Sequence, residues 1–136
     1  MAVIRYTVQV DEFGVGVKVM LEEFLRRSAL FDLYGALLTE KQRRCLSMSL
    51  YEDYSLSEIG DALGISRQAV HDMLHRSELA MEDYEARLGL LARRDDERRT
   101  LAAAYERLRA LRTDDADAKN ELLGLLAPLA GLEDTK

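Results

Sequence analysis

Tyr54-Ser-Leu-Ser-Glu-Ile-Gly-Asp-Ala-Leu-Gly-Ile-Ser-Arg-Gln-Ala-Val-His71 reads as a helix, a tight turn and a second helix. Ser55 with Glu58 has the spacing of a capping box, in which hydroxyl and carboxylate each satisfy the other residue's backbone amide. A helix therefore starts near Leu56, with Ile59, Ala62 and Leu63 as its buried stripe and Glu58 and Asp61 facing water. Gly64 stops it, because the residue just past a helix end commonly needs positive φ. Ile65 plugs the turn and Ser66 caps the next helix. Along that helix Val70, Met73, Ser77, Met81, Tyr84 and Leu88 share one largely apolar face. The opposite face of its first turns carries Arg67, Gln68, His71 and His75.

These side chains suit nucleic acid. Arg pairs bidentately with guanine and Gln with adenine, while the Ser66 hydroxyl and the helix N-terminal amides suit a phosphate oxygen. The candidate binding residues are Ser66, Arg67, Gln68, His71 and His75, with Arg43 and Arg44 from the helix that precedes the motif. An ordinary solvated helix face is the alternative reading of the same residues.

Four blocks in order carry a family resemblance: Leu30-Phe-Asp-Leu-Tyr-Gly-Ala-Leu-Leu-Thr-Glu-Lys-Gln42, Ser55-Leu-Ser-Glu-Ile59, Ser66-Arg-Gln-Ala-Val-His-Asp72 and Tyr84-Glu-Ala-Arg-Leu-Gly89. Over Leu21 to Leu91 the chain resembles the YlxM family, small bacterial helix-turn-helix proteins associated with the signal recognition particle genes. The helical unit is also similar to the sigma-factor region that reads the −35 promoter element. The resemblance implies an all-α fold and a role in protein targeting, through the particle's RNA or its GTPase subunits. Beyond Arg93 no family pattern is carried over.

The rest of the chain reads as all-α too, a sigma-region-like helix-turn-helix domain with a helical C-terminal arm. A first helix is expected on Leu21, Phe24, Leu25, Phe31, Leu33, Tyr34, Leu37 and Leu38, near heptad spacing. Thr39 and Gln42 form a second capping box, and Glu52 and Asp53 make the corner before Ser55. The long motif helix ends at Gly89. The tail holds one helix around Asp95 to Leu111 and another from about Asp117 to Ala127. Val3 to Val10 alternates like a strand and Gly14 and Gly16 break the run, so residues 1–19 are expected to be an N-terminal extension, non-native, disordered or dispensable, with residues 20–91 as the helix-turn-helix domain and 92–136 as the arm.

Charge argues against simple duplex binding. Ser28 to Leu91 holds six basic residues (Lys41, Arg43, Arg44, Arg67, Arg76 and Arg87) against eleven acids, net −5. That sign repels a polyanion whose affinity depends on neutralised phosphates. Ala92 to Arg112 has seven arginines against four acids, net +3. Arg93, Arg94, Arg98 and Arg99 are therefore a candidate RNA-contacting arm, unless Asp95, Asp96 and Glu97 hold them in local ion pairs.

Other chemistry has little foothold. Cys45, the single cysteine, reads as a structural thiol in a reducing cytosol. His71 and His75 stand four apart with no convincing third ligand, so no metal or other cofactor is expected. There is no phosphate loop, no nucleophile elbow and no carboxylate pair tied to a histidine, so the protein is expected not to be an enzyme. Leu122 to Leu132 is too short to span a bilayer and Pro128 interrupts it, so a cytoplasmic location without membrane insertion is expected. Two functions stay open: an accessory of the signal recognition particle pathway, and a dimeric transcription regulator reading DNA. The first helix and the tail both carry surplus leucine, and either could pair with a second copy.

Overall fold

The computed structural model describes residues 15–132. Among these the chain is all-α, and it divides into two compact units, residues 1–89 and residues 90–136.

The first unit contains α1 (Val15–Tyr34), a 3-10 turn (Gly35–Leu37), α2 (Glu40–Leu50), α3 (Leu56–Leu63) and α4 (Arg67–Leu88). Both capping boxes form. Thr39 accepts from the Gln42 amide while the Gln42 side chain accepts from the Thr39 amide, and Ser55 and Glu58 do the same. Gly64 takes φ 67° and Gly89 φ 62°, ending α3 and α4 as expected. Asp53, at the corner between α2 and α3, is the non-glycine residue with positive φ among the described residues, at 54°. α4 is the organising element, packing on α1, α2 and α3.

The helix-turn-helix core takes one fully buried residue from each of three helices: Cys45 of α2, Ile59 of α3 and Val70 of α4. Met48, Leu56, Leu63, Ile65, Met73 and Leu74 pack around them. Removing a side chain such as Ile59 from water contributes about 1.5–3 kcal/mol, enough to fix the register of so short a helix as α3. Ser77 is buried among apolar residues, yet its hydroxyl donates to the Met73 carbonyl at 2.7 Å, so its polar atom is satisfied within α4. Burial also pushes the Cys45 thiol above its ordinary value, which suits an inert, packed sulfur.

α1 lies against α4 through Leu30 and Tyr34, both buried, and through charge. Arg26 makes two hydrogen bonds to the Glu82 carboxylate, at 2.8 and 2.6 Å, Arg27 pairs with Glu78 at 3.0 Å, and the Tyr34 hydroxyl donates to Glu85. The Arg26 hydrogen bonds hold the Glu82 carboxyl below its ordinary value. A carboxyl depressed in the folded state stabilises above its unfolded pKa, and that contribution is lost as pH falls through the folded value. Because the two side chains are 51% and 45% exposed, the pair is worth less than about 1 kcal/mol. Glu82→Gln is therefore expected to cost about 0.5 kcal/mol at neutral pH and nothing in acid, where the wild-type carboxyl is itself protonated. Urea unfolding of both proteins across that pH range checks it.

Four expectations about this unit are corrected. The first helix does not reach Leu38: it ends at Tyr34, because Leu38 and Thr39 must be extended for Thr39 to cap α2. α1 also begins at Val15, so residues 15–19 are the first turn of a helix that runs unbroken through Met20, while residues 1–14 lie outside the described residues. Ala62 is exposed, because the buried arc of α3 is centred between Ile59 and Leu63 and Ala62 falls on its rim. Leu88 is exposed too, three residues past Glu85, where Tyr34 holds α4.

The second unit is a pair of packed helices, α5 (Leu90–Ala110) and α6 (Ala116–Leu129). α5 starts directly after Gly89, five residues earlier than Asp95. Asp115 caps α6, accepting from the Ala118 amide, and Pro128 sits within its last turn.

Candidate nucleic-acid interface

The second motif helix is presented by the turn. Gly64 reverses the chain, the Ile65 amide donates to the Gly60 carbonyl at 3.0 Å, and Ser66 accepts from the Ala69 amide at 3.1 Å. The turn is so close that a Cβ on Gly60 would lie 2.7 Å from the Ile65 carbonyl oxygen. Sequence periodicity gave no hint of this, since Gly60 looks like a mid-helix lapse and not a point of backbone contact.

Val70 holds the inner side of α4 in the core, and Ser66, Arg67, Gln68, His71 and His75 are all exposed on its outer side. Besides the Ser66 cap, two of these side chains have a partner. Gln68 Nε2 donates to Asp72 Oδ1 at 3.1 Å, and His71 Nδ1 lies 3.7 Å from the same oxygen. Asp72 thus restrains the Gln68 side chain and places a negative charge beside the edge. His71 and His75 have no third ligand, and among the described residues no group of three or more His, Cys, Asp and Glu side chains could hold a metal.

The cations divide sharply. In the first unit Lys18, Arg26, Arg27 and Arg87 are paired with Glu22, Glu82, Glu78 and Asp83. Lys41, Arg43, Arg44, Arg67 and Arg76 have no acidic partner within ion-pair distance among the described residues, and all five lie on α2 or the first three turns of α4. Lys41 and Arg44 line a shallow hollow with Glu40 and the α3 residues Ala62 and Leu63, just before the turn. Arg43 does not line it. Lys41 and Arg76 were missed in the sequence, where net charge hid which cations were already neutralised.

Arg93, Arg94, Arg98 and Arg99 belong to α5 of the second unit. Arg93 pairs with Glu97 at 2.8 Å, which pushes its guanidinium up, and Arg99 pairs with Asp96. Arg94 makes only a 4.0 Å contact with Asp95. Arg98 is the one of the four with no ion pair among the described residues.

Residues 21–122 match the family model UPF0122, described as helix-turn-helix, YlxM / p13 like. The chain belongs to the YlxM family. A UPF0122 protein of Symbiobacterium thermophilum is 43% identical over 107 residues, covering 79% of this chain and 98% of the relative. Those of Halalkalibacterium halodurans and Geobacillus kaustophilus are each 40% identical over 114 residues, 84% of this chain and the whole relative. The YlxM match includes every candidate residue on α2, α4 and α5. No helix of the described residues is long and apolar enough to cross a membrane.

Proposed function

We propose that this YlxM protein is a non-enzymatic, cytoplasmic accessory of the signal recognition particle pathway, docking by the leading edge of α4 to the particle's RNA. The observation that carries nucleic-acid docking is the grouping, among the described residues, of the first unit's unpaired cations on α2 and early α4, around an exposed, Ser66-capped helix N-terminus. Arg67 and Gln68 read base edges, and Lys41, Arg44 and the α4 amides hold phosphates. The targeting role itself is supported by family resemblance, and docking to the particle's GTPase subunits is the protein-level version of the same role. The arm contributes the smaller part, since Arg93 and Arg99 are occupied by neighbouring acids.

One observation favours a second reading, a dimeric regulator that binds DNA. An exposed helix edge fits the wide B-form major groove, whereas the A-form major groove is too deep and narrow to read. The RNA reading therefore requires an unpaired or irregular segment of the particle RNA. Fluorescence anisotropy with particle RNA and with random duplex, across a salt series, separates the two. Salt-dependent binding to the RNA and none to the duplex supports the first, and the reverse order overturns it. In either case Asp72→Asn is expected to raise affinity a few-fold, because it removes a charge repelling phosphate while keeping an Oδ1 acceptor for Gln68. An unchanged or weaker affinity in the same assay would contradict that placement of Asp72.

A further inference from the structure

We propose that the outer face of α1 pairs with the same face of a second copy of this chain, antiparallel, along Val17, Leu21 and Leu25. At about 100° per residue, Val17, Leu21, Phe24, Leu25, Ser28 and Phe31 fall in one arc, well away from the Leu30 and Tyr34 side that packs on α4. The C-terminal end of this arc is covered within the chain, where the Phe31 and Tyr51 rings stand 5.9 Å apart. Its first turns are not: Val17, Leu21 and Leu25 are 42%, 48% and 56% exposed. A helix apolar on two faces is one that is covered on both. Three aliphatic side chains in a row are also a contiguous patch, unlike scattered surface leucines.

The charges choose the occupant. Lys18 and Glu22 form one flank of the stripe, with side chains 77% and 64% exposed. A two-fold axis near Leu21 lays like flank on like flank, so that Val17 meets Leu25 of the copy and Lys18 meets Glu22 on both sides. A parallel pairing would set this flank against the opposite one, which carries Met20 and Arg27, and loses that match. The face is therefore self-complementary in the antiparallel sense. This pairing does not depend on which nucleic acid the α4 edge binds.

Sedimentation velocity of the full chain from micromolar to submillimolar concentration tests it, with circular dichroism as the check on folding. The expected result is a dimer whose dissociation constant rises more than about tenfold on Leu21→Asp with Leu25→Asp, at unchanged helicity. Lys18→Glu should weaken it a few-fold, and Lys18→Glu combined with Glu22→Lys should restore it. The charge swap decides the matter if the aspartates impair folding. A monomer throughout, or a dimer indifferent to both sets of substitutions, overturns the proposal; the second outcome assigns association to another surface, such as the exposed leucines of α6.

Discussion

Gly60→Ala destabilises the unit of residues 1–89 by about 2 kcal/mol, although it places a better helix former inside a helix. The intrinsic preference of alanine over glycine in a helix interior is worth about 1 kcal/mol in its favour. Against this, the new methyl would stand 2.7 Å from the Ile65 carbonyl oxygen, with Ser66 and Arg67 backbone atoms at 3.6 Å. Those are backbone atoms of a hydrogen-bonded turn and cannot swing aside as a side-chain tip does. Overpacking of this kind costs up to about 3 kcal/mol, so sterics outweigh propensity. The strain also falls on the Ser66 cap, so the variant should lose nucleic-acid affinity with its stability. Gly64→Ala makes the contrast: its φ of 67° is unfavourable for alanine but its Cβ would meet nothing, so the cost is about 1 kcal/mol without a change of shape. Urea unfolding of the two variants should rank Gly60→Ala as the more damaging, and the opposite rank would mean that the turn is looser than described.

Arg67→Ala with Gln68→Ala lowers affinity for the nucleic-acid target about 100-fold at fixed salt, with the fold intact. Both side chains are exposed and neither packs in the core, so stability should change little. Each base-edge contact is worth about 1–3 kcal/mol, and the pair adjoin on one turn. Lys41→Ala or Arg44→Ala should behave differently. Each lowers affinity alike for matched and mismatched targets and reduces the salt slope by about one, the signature of a lost phosphate contact. Anisotropy titrations at several salt concentrations distinguish these outcomes. If all four substitutions acted alike, α4 would be holding phosphates without reading bases.

What was legible in the sequence is what short-range chemistry decides. The two capping boxes, the stops at Gly64 and Gly89 and the exposed face of early α4 each depend on residues within one helical turn, and each is present. What was not legible depends on tertiary contact. The end of α1 is the exception, because its signals are local: Gly35 follows Tyr34 directly and the segment before Thr39 must be extended for the cap, but the apolar spacing runs on to Leu38 and hides both. Ala62 belongs to the apolar pattern of α3 but faces the hollow beside Lys41 and Arg44. The early start of α5 at Leu90 was masked because its apolar spacing is regular only from Leu101 onward. Electrostatics shows the same division. Net charge counts Arg87 as equal to Arg44 and Arg67, whereas Asp83 stands 3.0 Å from Arg87 and the other two have no such neighbour among the described residues.

Amide chemical-shift mapping of the full chain during separate titrations with particle RNA and with duplex DNA tests the docking edge most directly. Shifts should concentrate on Ser66 to His71, with a second group at Lys41, Arg44, Ala62 and Leu63. Shifts confined to α5, or spread evenly over the surface with early α4 unmoved, would contradict docking by that edge.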